Sequence, residues 1–162
     1  MKLYIKQKVF SWGDKFSVLD ENGDSRYYVE GKVFSLAKQL HVKDNFGNEV
    51  AFIKQKAFSI LPRFYVYKDE IEVAEIVKQF TFLRQKYSIS KLGWQVNGDF
   101  GAHNYQLLNS DGSQIAIISK RWLSWGDTYE IEITDLVDEV ITLAVVLAID
   151  CVLAANSAAA AN

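Results

Sequence analysis

The sequence predicts a mainly β protein: a closed antiparallel barrel of about twelve strands around a buried hydrophobic C-terminal helix, built from two repeated halves. Three observations predict it. Turn-forming clusters punctuate residues 1–133 at short intervals, one fourteen-residue pattern recurs four times, and residues 134–155 read as a helix without a polar face.

The turns are Asp20-Glu21-Asn22-Gly23-Asp24, Asp44-Asn45-Phe46-Gly47-Asn48, Asn97-Gly98-Asp99-Phe100-Gly101 and Asn109-Ser110-Asp111-Gly112-Ser113. Glycine reaches left-handed backbone without a clash, and Asp, Asn and Ser side chains bond their own backbone. Each cluster separates runs rich in β-branched and aromatic residues, which is hairpin punctuation. Within a run the faces alternate: Tyr129, Ile131 and Ile133 point one way, Glu130 and Glu132 the other. The runs predict strands near 3–10, 14–19, 26–33, 38–43, 49–56, 63–68, 71–78, 84–90, 93–97, 104–109, 113–120 and 128–133. Pro62, the single proline, falls in a turn.

The repeat aligns Ile5 to Val18 (IKQKVFSWGDKFSV), Ile53 to Val66 (IKQKAFSILPRFYV), Ile76 to Ile89 (IVKQFTFLRQKYSI) and Ile118 to Ile131 (ISKRWLSWGDTYEI) without gaps. All four share an initial Ile, an aromatic at the twelfth place and a β-branched residue at the fourteenth. Ser-Trp-Gly-Asp occurs in two of them and is replaced in the others, so the constant element is strand, turn, strand rather than a twice-used active site. Gly47 to Ile53 also matches Gly112 to Ile118 at an offset of 65, the mark of a duplicated β unit.

The helix is announced at Thr134-Asp135-Leu136-Val137-Asp138-Glu139, a cap followed by acids in the first turn. From Val140 to Ile149 no residue is charged. A helix apolar all round is surrounded by protein or by lipid. Asp150 in the apolar run, and the lack of Lys or Arg after Arg121, argue against lipid. A barrel of about twelve strands encloses more volume than its own side chains fill, and this helix fills it. The domain is expected over 1–162, with barrel strands in 1–133, the helix in 134–155 and a fraying tail in 156–162.

Composition narrows the function. The chain of 162 residues has a net charge of −2, which gives no general attraction to nucleic acid, but residues 1–91 carry +5 and residues 92–162 carry −7. Cys151, the single cysteine, cannot form an intrachain disulfide and sits in the apolar run as a small buried residue, which fits a reducing, cytoplasmic setting. The charged start, Met1 to Lys8, lacks the apolar core of a secretory signal. Asp20 to Gly31 misses the glycine and glutamate of a calcium loop, and His41 and His103 lack zinc-ligand spacing. Nucleophile-elbow, phosphate-loop and dinucleotide motifs are absent from the sequence, so no cofactor, metal or catalytic residue is expected. Trp and Tyr on strands are read as barrel packing rather than a base-stacking platform, and no nucleic-acid partner is expected.

Ile5-Lys6-Gln7-Lys8, Gly13-Asp14-Lys15-Phe16-Ser17-Val18-Leu19-Asp20, Ile53-Lys54-Gln55-Lys56-Ala57-Phe58-Ser59, the Asp-x-x-Gly turn at Asp44 to Gly47 and the final helix resemble the LURP-one-related members of the tubby C-terminal-like superfamily. The resemblance covers nearly the whole chain. It implies a twelve-stranded barrel around a hydrophobic C-terminal helix, and a relation to phospholipid scramblases. Tubby proteins bind phosphoinositides partly through a Lys-x-Arg pair, which Lys6-Gln7-Lys8 matches with lysine in place of arginine. A Lys-x-Lys pair on a strand puts both ammonium groups on one face, and Lys54-Gln55-Lys56 repeats it. The expected function is a non-catalytic binding module for anionic phospholipid head groups or a phosphorylated small ligand, through Lys6, Lys8, Lys54 and Lys56. The alternatives are a protein-interaction scaffold whose lysines are merely solvating, and a hydrolase at the barrel mouth.

Overall fold

Each copy of the repeat is a β-hairpin. The computed structural model describes residues 1–6, 15–34, 37–79, 86–99, 102–123, 126–134 and 138–160. They form β1 (Lys2–Lys6), β2 (Lys15–Leu19), β3 (Ser25–Phe34), β4 (Ala37–Lys43), β5 (Glu49–Gln55), β6 (Arg63–Lys68), β7 (Ile71–Gln79), β8 (Lys86–Ser90), β9 (Gln95–Asp99), β10 (Asn104–Leu108), β11 (Gln114–Leu123), β12 (Gly126–Ile133) and α1 (Glu139–Ala160). Ile53 lies opposite Val66, Ile76 opposite Ile89 and Ile118 opposite Ile131, so the first and fourteenth places of the repeat are cross-strand partners. In the first copy Tyr4 opposite Leu19 sets the same register for Ile5 and Val18. All these β-branched side chains are buried. The pattern recurs because each hairpin inserts one such pair into a shared core.

Consecutive strands pair antiparallel from β1 to β8 and from β9 to β12, and β1 pairs with β12. The circuit is therefore nearly closed. Among the described residues β8 and β9, although consecutive, exchange no ladder and leave one seam. Three turns share one hydrogen-bond pattern. Gly23 N–H donates to Asp20 O at 3.1 Å, Gly47 to Asp44 at 3.1 Å and Gly112 to Asn109 at 3.0 Å, with each glycine at φ near +85° (86, 84 and 84). A left-handed residue closing a type I turn is a standard hairpin solution. The Asp20 carboxylate accepts the N–H groups of Asn22 and Asp24, which accounts for its acids as turn chemistry.

The helix fills the barrel. Residues 143–149 are fully buried, and α1 packs most closely on β5, β6, β7 and β12. It starts later than 134 because Thr134 Oγ1 donates to the Gln114 and Ile115 carbonyls, at 2.6 and 3.0 Å, instead of entering the helix. Asp138 is the cap: its Oδ1 accepts the Ile141 N–H at 3.0 Å. The helix continues to Ala160, through residues expected to fray, because alanine has the highest helix propensity. Residues 161–162 lie outside the described residues. Among the described residues no helix is long and apolar enough to cross a membrane.

Candidate functional site: a basic rim and a buried polar pin

Antiparallel strands sort the charges by height. The rim where α1 begins carries Asp20, Glu21, Asp24, Asp44, Glu49, Asp69, Glu70 and Asp111 in its turns and strand ends. Its cations are neutralised in place: Arg26 by Glu139, Lys43 by Glu30, Lys68 by Asp138 and Lys91 by Glu72. The rim where α1 ends carries Lys15, Lys32, Lys38, Lys54, Lys56, Arg63, Lys120 and Arg121 against Asp99 and Asp127. Lys15, Arg63 and Arg121 pair with the wall carboxylates Glu30, Glu75 and Glu130. The Lys15 and Lys43 ammonium groups, bonded to Glu30 at 2.8 and 2.9 Å, pull its carboxyl down to about 2. Lys32, Lys54 and Lys56 are exposed and have no ion-pair partner among the described residues.

Of the four lysines singled out from the sequence, Lys54 and Lys56 stand on the outer face of the β5–β6 hairpin, opposite in sense to buried Ala51 and Ile53. Lys6 ends β1 opposite Thr128, with its side chain outside the described residues; Lys8 lies outside them entirely. Both strands end at the basic rim. Three strands separate β1 from β5, and four spacings of about 4.8 Å place them on the order of 19 Å apart along the wall. The backbone of Lys6 and the Lys54–Lys56 pair therefore lie apart on the wall.

The same end of the molecule holds a cluster that the sequence reading missed. Asp150, on α1, is buried with only 4% exposure. Tyr129 O–H donates to its Oδ2, and His103 Nε2 lies 3.2 Å from its Oδ1. The His103 ring stacks on Tyr129 with centroids 4.5 Å apart and planes 16° from parallel. Burial, and then the Asp150 charge, push the Tyr129 and Tyr105 phenols and the Cys151 thiol well up. The same two causes raise Tyr87 to about 12. A thiol held protonated is a poor nucleophile, so Cys151 is packing. The signal was in the repeat: its twelfth place is Phe in Phe16 and Phe64 but Tyr in Tyr87 and Tyr129, the two copies near Asp150.

The opposite end of α1 is pinned similarly. Arg26 grips Glu139 with two bonds, Tyr27 O–H donates to Glu139 at 2.9 Å, and Lys68 meets Asp138 at 2.9 Å. Burial, then the bond to Glu139, raise Tyr27 to about 12. Two grooves, of about 430 and 550 Å³, lie on the outer wall; one is lined by Lys15, Tyr28, Lys43 and Phe46, the other by Phe52, Lys54, Tyr67 and Glu70. Among the described residues no three His, Cys, Asp or Glu side chains gather as a metal site.

The barrel is threaded by its own helix, which is pinned at both ends, and its two rims carry opposite charge. The chain belongs to the LURP-one-related family, whose model matches residues 1–150. It is 36% identical over 153 residues to the uncharacterised protein YxjI of Bacillus subtilis (strain 168), covering 94% of both chains. The crystal structure of an Arabidopsis thaliana protein superposes with a TM-score of 0.65 at 16% identity, over 93% of this chain and 90% of that one, which shows the shared fold.

Proposed function

We propose that this protein is a non-catalytic binding module that docks on anionic phospholipid surfaces by the rim where α1 ends. The separation of charge between the rims carries this reading: cations are balanced at one rim and left exposed at the other, at Lys32, Lys54 and Lys56. The filled interior supports it, because α1 occupies the space where a barrel would hold a small ligand. The resemblance of Lys6-Gln7-Lys8 to the tubby head-group pair points the same way.

Each lysine near an anionic membrane contributes about 1 kcal/mol, screened over roughly 8–10 Å at physiological salt. Co-sedimentation with phosphatidylserine-containing and pure phosphatidylcholine vesicles tests the reading. Lys54→Gln with Lys56→Gln is expected to weaken binding roughly tenfold to thirtyfold at low salt, and Lys6→Gln with Lys8→Gln similarly. Free inorganic phosphate separates a lipid surface from a soluble phosphorylated ligand: it competes strongly only if a phosphate pocket is the target. Equal sedimentation with both vesicle types at low salt would refute the reading and leave the protein-interaction alternative.

A further inference from the structure

We propose that the β5–β6 loop is a bilayer-insertion tip, with Phe58 and Ile60 entering the lipid interface while Lys54 and Lys56 hold the anionic head groups beside it. This rests on the docking reading above and adds an apolar, salt-resistant component to it. Phe58 is 90% exposed and Ile60 96%, within three residues of one another on a single turn. Large apolar side chains this exposed and this close mark a surface with an apolar occupant.

The loop is built to present them. The Lys56 N–H donates to Arg63 O at 2.9 Å and closes its base. Within it, half-buried Ala57, Ser59, Leu61 and Pro62 alternate with the two exposed side chains. Phe58 sits at φ 54, a left-handed backbone that bulky residues seldom adopt, and its side chain is 90% exposed. Pro62 further restricts the return strand.

Charge identifies the occupant. A protein partner would offer an apolar patch of any charge, whereas this tip stands on the basic rim beside exposed Lys54 and Lys56. Cations flanking an apolar tip match a bilayer surface, where anionic head groups overlie acyl chains. In sequence, lysines are also followed by apolar residues from Lys6 to Phe10; the site assigned here is the β5–β6 loop alone.

Ile60→Cys labelled with a polarity-sensitive fluorophore tests this, with Phe46→Cys at the acidic rim as the control. Cys151 is fully buried, so the label goes to the introduced thiol. On phosphatidylserine-containing vesicles the label at 60 is expected to shift to the blue and that at 46 to stay unchanged. Phe58→Ser with Ile60→Ser should weaken vesicle binding by roughly tenfold or more, because each side chain loses much of its apolar burial. It should also abolish the binding that remains at high salt, with the folded CD spectrum retained. A label at 60 that stays in water, with the double Ser variant binding like the parent, overturns insertion while leaving electrostatic docking intact. A parent that binds no vesicle overturns both.

Discussion

Asp150 determines how the interior is organised at the level of single residues. A buried carboxylate needs donors, and Tyr129 and His103 supply them from β12 and from the turn before β10. Tyr129→Phe keeps the shape and removes one donor, so destabilisation of about 1–3 kcal/mol is expected in urea unfolding. Unchanged stability would mean that the bond is dispensable. The phenols also set an alkaline limit. Tyr27 and Tyr87 have folded values of about 12 against an ordinary 10.0, and a raised value favours the protonated, folded form. Their contribution is complete below pH 10 and is lost as pH rises through about 12. Tyrosinate absorbance and helix CD should therefore change together above pH 10, with a shallower loss in Tyr87→Phe. The sequence contained Asp150, His103 and the Phe-to-Tyr change of the repeat, but not their meeting. His103 and Asp150 are separated by 47 positions and joined only when the barrel wraps the helix.

At the scale of elements, strands were legible because period-two alternation and turn residues are local signals. Their boundaries moved by a few residues, and the seam between β8 and β9 was not legible at all, since pairing is decided by the curvature of the whole wall. Gly98 lies beside that seam, at φ +133, where an added Cβ would come within 2.5 Å of Asn104 O and 2.6 Å of Tyr105 Cα. Gly98→Ala should cost about 1–3 kcal/mol and loosen the β9–β10 amides in hydrogen exchange. Wild-type stability would mean that the two strands separate freely. The helix was legible from its composition, its start less so, because Asp138 rather than Thr134 supplies the cap. Leu147 is fully buried, and Leu147→Asp sets an unpaired charge against the wall. That costs several kcal/mol in a domain with about 5–15 to lose, so insoluble or unfolded protein is expected. A soluble variant that melts like the parent would show the helix to be peripheral.

The whole molecule is organised by a charge separation that chain order conceals. Read along the sequence, the first 91 residues are basic and the rest acidic; in the fold, successive strands run in opposite directions and the same charges divide between two rims. The lysine pairs were legible as anion-binding candidates, whereas the exposed Phe58 and Ile60 were not. Their sequence context is that of any strand end, and only the folded wall shows that they stand 90% and 96% exposed, with nothing among the described residues covering them. Hydrogen exchange with and without phosphatidylserine-containing vesicles tests the proposed orientation most directly. Slowed exchange confined to residues 54–63 and their neighbours at the rim where α1 ends, with the turns at 44–48 and 69–72 unchanged, is the predicted result. Protection at those acidic turns, or at neither rim, would contradict it.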